Sequence, residues 1–301
     1  MSAPLTRPRA FALLHLTIVI WGFTAILGKL ISINALSLVW YRQWLAALML
    51  LPAVARAPQR LKLPAKEALR LIAIGALVGA HWLCFYAAIK LASVAVAVVC
   101  LAASSFFVAL FEPLVFRRAV RAREVLLGIF VIIGVVLLVG VQARASGFAI
   151  AVGIAAAAGS ALFSTLNGWI MQRTSDSAVV SIYELAAGAA WLTPIFFLVP
   201  GTFLVPSAIP ASDWLWLLIL ASACTAFPWL WSLRVLRTFS PFTLTLSVNL
   251  EPVYSLILAW LIFPGSERLS ATFYAGTLLL VVLVAANQII PARATPSSRS
   301  R

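Results

Sequence analysis

Ser232–Phe263 reads SLRVLRTFSPFTLTLSVNLEPVYSLILAWLIF. Its last two dozen residues are apolar enough to cross a bilayer, yet Glu251 and Pro252 stand in the middle of them. From Ser240 to Glu251 is roughly 16 Å of helix, about half of a hydrocarbon core roughly 30 Å thick. A carboxylate at that depth costs on the order of 3 kcal/mol unless it is paired, protonated or turned to water. Helical spacing puts Ser240, Ser247, Tyr254 and Ser255 on the face of Glu251. Such a polar stripe suits a protein-lined cavity better than lipid. Pro252 has no N–H, so a carbonyl one turn earlier loses its partner. Broken helices at the midplane are a feature of solute-binding sites in membrane transporters.

The rest of the chain has the same character. Of 301 residues, 63% are hydrophobic and 10% charged, whereas soluble domains carry roughly 25% charged residues. The expected class is an all-α integral membrane protein. The net charge of +14 would suggest nucleic acid in a soluble protein. Here the basic residues sit in short loops between apolar runs, which reads as membrane orientation and attraction to anionic headgroups, with no nucleic-acid partner. Cys84, Cys100 and Cys224 all lie inside apolar runs. They offer neither a disulfide framework nor metal-ligand spacing, so no metal or cofactor is expected. Arg7 and Arg9 precede the first apolar run as in a signal peptide, but no A-x-A-type cleavage site follows. The run reads as a retained first helix.

Ten apolar segments emerge: 11–31, 37–55, 69–89, 93–116, 125–141, 148–170, 179–199, 213–235, 240–263 and 270–290. Each is long enough to span with some tilt. Arg7, Arg9, Arg56, Arg60, Lys62, Lys66, Arg70, Arg117, Arg118, Arg121, Arg123, Arg173, Arg234, Arg237, Arg293, Arg299 and Arg301 fall on one side. The other side holds Lys29, Lys90, Arg144 and Arg268, with Arg42 inside the second segment. Both termini are therefore expected in the cytoplasm, and the location in the cytoplasmic (inner) membrane of a bacterium.

The two halves repeat. A shift of 142 places Tyr41 on Tyr183, Arg42 on Glu184 and Pro52 on Pro194. A shift of 147 places Trp82 on Trp229, Lys90 on Arg237, Ser93 on Ser240 and Phe116 on Phe263. An odd number of helices per half makes the copies inverted about an axis in the membrane plane. The expected division is 1–10 as an N-terminal tail, 11–142 as the first five-helix repeat, 143–290 as the second, inverted repeat, and 291–301 as a C-terminal tail.

Three patches carry a family resemblance: Trp21-Gly22, Tyr41-Arg42 followed by Pro52, and Asn249-Leu250-Glu251-Pro252-Val253-Tyr254 running through LILAWLIF to Glu267-Arg268-Leu269. On these the chain resembles the EamA-like family of the drug/metabolite transporter superfamily, across nearly its whole length. The resemblance implies ten helices in two inverted five-helix repeats. It also implies a central cavity lined mainly by helices other than the fifth and tenth, and export of small metabolites, often amino acids. One departure stands out. The first half has Ser104-Ser105 where the second has Glu251-Pro252, so the site should be asymmetric.

Glu251 is either a substrate or proton site or a structural group for the helix broken at Pro252. Arg42 either snorkels to the outer headgroups or turns inward to hold a carboxylate, with Glu251 as its partner in one conformation. Its inverted mate Glu184 lies near the inner surface, too far for a direct pair. His81, Trp82 and Tyr86 sit mid-span in the third segment, as a binding wall or a hydrogen-bonded core. The mates Tyr41 and Tyr183, together with Trp21, Ser104, Trp229, Ser247 and Tyr254, complete the candidate site. His15 reads as interfacial, Glu112 as a local salt-bridge partner, and Asn249 as a contact to a neighbouring helix. Thr17, Trp21, Thr24 and Gly28 share one helix face, as do Ser160, Ser164, Asn167 and Met171; such stripes mark helix contacts as well as cavities. The same holds for Gly75-xxx-Gly79.

The leading functional reading is a secondary transporter, an exporter of small metabolites such as amino acids, working by alternating access at a midplane cavity. Its partners are a small solute, the lipid bilayer and protons as coupling ion. A passive facilitator, or a carrier of drugs, nucleotide sugars or lipid-linked solutes, remains open. An intramembrane enzyme needs a reactive constellation, and neither HExxH nor GxSxG occurs. No GxxxxGK[ST] motif supports ATP coupling.

Overall fold

Lipid offers no partner to a backbone N–H or C=O, so apolar segments of this length satisfy themselves as helices. The computed structural model describes residues 5–139, 146–174, 176–262 and 271–289, and helix is the only regular structure among them. Arg144, Phe263, Glu267-Arg268-Leu269 and the tail 291–301 lie outside the described residues.

Helix occupies each apolar segment read from the sequence. The first holds α1 (Arg7–Trp21) and α2 (Thr24–Leu30), the second α3 (Ala35–Leu50), and the third α4 (Ala65–Leu91). The fourth is divided into α5 (Val94–Ala102) and α6 (Ser104–Phe116); the fifth is α7 (Ala122–Val139). The sixth is α8 (Gly147–Met171), and the seventh is α9 (Ser177–Leu192) with the short α10 (Ile195–Leu198). The eighth comprises α11 (Ala211–Ala221) and α12 (Phe227–Val235), joined by a π turn at Ser222–Ala226. The ninth is divided into α13 (Pro241–Val248) and α14 (Glu251–Ile262), and the tenth is α15 (Ala271–Ile289). Among the described residues, five stretches are long and apolar enough to cross a membrane: Ala65–Leu91, Val96–Phe116, Gly147–Met171, Ser177–Leu198 and Ala211–Val235. Large side chains such as Leu114, Phe148, Phe197 and Leu198 are exposed, an arrangement that fits a lipid-facing surface and not a watery one. The protein is an integral membrane protein.

The ninth segment is broken at the mid-span Glu251-Pro252, as its sequence suggested. The chain leaves α-helical pairing at Asn249 and Leu250, whose N–H groups donate one residue short, to Leu246 and Ser247 O. The α-pattern resumes with Tyr254 N–H on Leu250 O. The fourth segment breaks at the matching place. Ala103 N–H donates to Cys100 O, and Phe107 N–H to Ala103 O. Both broken segments start on a serine cap: Ser93 Oγ accepts from Val96 N–H and Ser240 Oγ from Thr243 N–H. A capping serine of this kind satisfies one of the orphan donors of a helix start.

Packing centres on α4, which runs along α9 and α8, while α3 lies on α9 and α7 pairs with α15. The α4–α9 crossing is close because glycine faces backbone. A Cβ on Gly79 would come 2.8 Å from Gly188 O, and one on Gly75 would meet the Glu184 backbone. The Gly75-xxx-Gly79 pattern is thus used within the chain. α3 and α9 run antiparallel, and each end is tied to the loop that leaves the other helix. At one end Asn34 caps α3 and donates to Thr202 O (2.8 Å), and Tyr41 Oη donates to Leu204 O (2.7 Å). At the other end Asp176 caps α9 and accepts from Arg60 (2.7 and 2.6 Å), and Tyr183 Oη donates to Leu61 O (2.6 Å). Tyr41 and Tyr183 therefore hold loops at opposite ends.

Candidate functional site

The two breaks, the turn between α1 and α2, and the middle of α3, α4, α8 and α12 converge on a cavity of 110 Å³. Trp21, Arg42, His81, Trp82, Ser104, Trp229 and Glu251 line it. Five other expected residues stand outside its wall. Tyr41 and Tyr183 bind loops; Ser247 is fully buried and donates to Thr243 O (2.8 Å). Tyr254 takes part in a hydrogen bond with His15 Nδ1 (2.9 Å), so His15 is engaged with α14. Glu184 is buried behind Trp229. The break separates Ser247 from Glu251, so the single polar stripe expected of a straight helix does not form.

Arg42 does not snorkel. It is 4% exposed, with Nε donating to Thr225 Oγ1 (2.7 Å) and Nη1 to Tyr86 Oη (2.7 Å). Its guanidinium lies 4.1 Å from the centre of the Trp82 ring, a cation–π contact that offsets part of the burial cost. Thr225 can reach it because the π turn rotates α11 out of register ahead of Pro228. Such turns recur at functional sites. A guanidinium has five N–H donors, so these two bonds leave others for the cavity.

Glu251 opens α14, where the unpaired N–H groups of a helix start favour negative charge. Thr24 of α2 lines the same cavity. The ion pairs among the described residues are Arg60–Asp176, Arg118–Glu112, Arg118–Glu124 and Arg121–Glu124. Arg42 and Glu251 therefore face one small cavity without closing on each other. Glu112 is the local ion-pair partner expected, at 3.1 Å from Arg118.

Aromatic rings form the remaining wall. Trp82 and Trp229 meet edge-on at 5.4 Å, and Phe163 lies 5.4 Å from Trp229. His81 Nδ1 lies 2.7 Å from Ala156 O; a carbonyl only accepts, so Nδ1 carries the proton. Asn249 donates to Ser105 Oγ (2.7 Å), the neighbouring-helix contact expected of it, yet it also lines the cavity. Phe85, Phe163 and Thr245 line it too. Spacing alone gave no reason to choose these three, since apolar residues occupy every face of such helices. Among the described residues, none of α7 or α15 lines the wall.

Residues 9–140 match the EamA-like transporter family. That places the chain in the drug/metabolite transporter superfamily, whose EamA-like members are transporters. The matched EamA-like stretch runs from α1 through α7 and supplies Trp21, Arg42, His81, Trp82 and Ser104 to the cavity. A solved structure titled only "Crystal structure of protein" has the same fold. It superposes with a TM-score of 0.74 at 20% identity, over 94% of this chain and 98% of that one. No curated protein matches the chain.

Proposed function

We propose that this chain is a secondary transporter that exports small zwitterions, amino acids foremost, across the cytoplasmic membrane of a bacterium. The observation that carries the reading is a guanidinium and a carboxylate that face one small cavity without an ion-pair partner among the described residues. Arg42 would take the solute's carboxylate and Glu251 its ammonium, with Trp21, Trp82 and Trp229 accepting an apolar or aromatic side chain. A cavity of 110 Å³ is well below the roughly 300 Å³ where drug-sized pockets begin, which favours a small solute.

Alternating access needs two half-bundles that rock about the site. In this reading ten helices form two inverted five-helix repeats, 11–142 and 143–290, with both termini in the cytoplasm. The matched breaks at Ala103 and Leu250 support it. So do the reciprocal ties Tyr41–Leu204 and Tyr183–Leu61, which sit at opposite ends of an antiparallel pair.

The test is counterflow of labelled amino acids in liposomes, with and without a pH gradient, for wild type and Glu251→Gln. Saturable exchange that follows the gradient in wild type but not in the variant is expected. Gradient-insensitive exchange in both would make the protein a facilitator. No exchange of any amino acid would remove the substrate assignment.

A further inference from the structure

Glu184 lies in the middle of α9, fully buried and outside the wall of the cavity. Its Oε2 accepts from Asn167 Nδ2 of α8 and from Trp229 Nε1 of α12, both at 3.2 Å. Its Oε1 has no partner among the described residues, and neither has Asn167 Oδ1. Asn167 is 1% exposed. No described cation forms an ion pair with Glu184.

The surroundings bring no charge to it. α4 approaches through Gly75, and its His81 is held by Ala156. α3 presents Gln43, whose amide lies against Gly188, while Arg42 is held by Thr225 and Tyr86. α8 presents Asn167 and α12 presents Trp229, neither of which titrates. Tyr183, beside it in sequence, points its hydroxyl at Leu61. Arg234 of α12 lies a turn beyond, against Ser177.

An ionised carboxylate here would be an unpaired buried charge next to an amide oxygen that also lacks a donor. Both faults cost free energy, the charge most. One proton removes both. With a hydrogen on Oε1, the acid donates to Asn167 Oδ1 while Asn167 Nδ2 donates back to Oε2. That is the cyclic acid–amide pair, with every polar atom matched, and Oε2 still has a lone pair for the indole N–H of Trp229. Trp229 is itself a wall of the cavity and touches Trp82, on which the Arg42 guanidinium rests.

We propose that Glu184 is a proton-binding site outside the solute cavity, sharing its proton with Asn167 and positioning the cavity wall through Trp229. Losing the proton turns Oε1 and Asn167 Oδ1 into facing acceptors. The pair must then rearrange or take in water, and the hold on Trp229 changes with it. The coupling role rests on the transport reading above; the proton on Glu184 does not.

The experiment is infrared difference spectroscopy on the full chain in liposomes near neutral pH, in H₂O and D₂O. Glu251→Gln serves as background so that the cavity carboxylate is silent. Adding Glu184→Gln is expected to remove one carboxylic C=O band that shifts down in D₂O. Gln can accept from Trp229 and donate to Asn167, so the variant keeps the local bonds. Asn167→Ala, which leaves Glu184 in place, is expected to move that band up in frequency. Loss of carboxylate bands in place of a carboxylic band would overturn the proposal, as would a Glu184 band unmoved by Asn167→Ala. Under the transport reading, Glu184→Gln alone flattens the pH profile of counterflow. An unchanged profile with the infrared result intact would overturn the coupling role and keep the proton site, whereas absence of counterflow in wild type would count against the transport reading alone.

Discussion

The two broken helices share a backbone and differ in chemistry. α5–α6 and α13–α14 start on serine caps, tighten over the same residues and restart 147 positions apart, at Ser104 and Glu251. Pro252 is the obvious cause of the second break, yet the first has Ser105 in that place and breaks just the same. The break therefore belongs to the fold, and Pro252 only fits it. What differs is the group presented at the restart, a hydroxyl in one half and a carboxylate in the other. The shape of the cavity is duplicated, and its charge is not.

That contrast is broken most severely by making the halves alike. Ser104 is 4% exposed and lines the same cavity as Glu251. Ser104→Glu puts a second carboxylate at mid-membrane with Arg42 as the shared cation. The expected loss is about 3 kcal/mol of stability, read as a lower unfolding midpoint in micelles, with loss of counterflow. The swap Ser104→Glu with Glu251→Ser keeps one carboxylate and is expected to recover most of that stability. A swap no better than the single change would mean the two breaks are different environments, whatever their backbones share.

Much of this was legible in the sequence for a physical reason. Segment length, loop charge and a mid-span Glu-Pro are one-dimensional signals set by the bilayer, and they located the helices, the ninth-segment anomaly and Arg42 as the intramembrane cation. Contacts between segments were not legible. Asn249 faces away from Glu251 on a straight helix, and only the break returns it to the cavity. Tyr41 and Tyr183 were legible as mates but not as loop anchors, because their partners are backbone carbonyls that no side-chain identity announces. Glu184 was legible as the mate of Arg42 near the inner surface; its complete burial and its pairing with Asn167 needed α8 and α9 placed side by side.

Asn249 sharpens the comparison at smaller amplitude, because it ties one break to the other. It donates to Ser105 Oγ (2.7 Å) of the first break and to Thr245 O (2.9 Å) of its own helix. Its counterpart by the 147 shift is Ala102, so the backbone at this position accepts alanine. Asn249→Ala is expected to cost about 1–3 kcal/mol, the usual penalty for leaving a buried partner unmatched. A midpoint equal to wild type would mean the tie between the breaks carries no stability.

The smallest effects come from the ends of the α3–α9 pair, where two loop ties of similar form again differ in charge. Asn34→Ala removes a neutral cap and its bond to Thr202 O, at an expected cost of about 0.5–2 kcal/mol that is indifferent to pH and salt. Arg60→Ala removes the ion pair to Asp176, whose side chains are 40% and 27% exposed. Screening by water limits that pair to about 1 kcal/mol or less. For Asp176, burial pushes its carboxyl up, but the Arg60 guanidinium and the Val179 and Ala178 amides outweigh it and hold it below the ordinary 3.8. A carboxylate held low in the folded state contributes stability that is present above its unfolded value and lost as pH falls through the folded one. The gap in unfolding midpoint between wild type and Arg60→Ala should therefore be constant from neutral pH down to about pH 5, then shrink below about pH 4, and shrink also in about 1 M salt. A gap that survives acid and salt would mean Arg60 acts by packing, and the two ends would then differ in shape and not in charge.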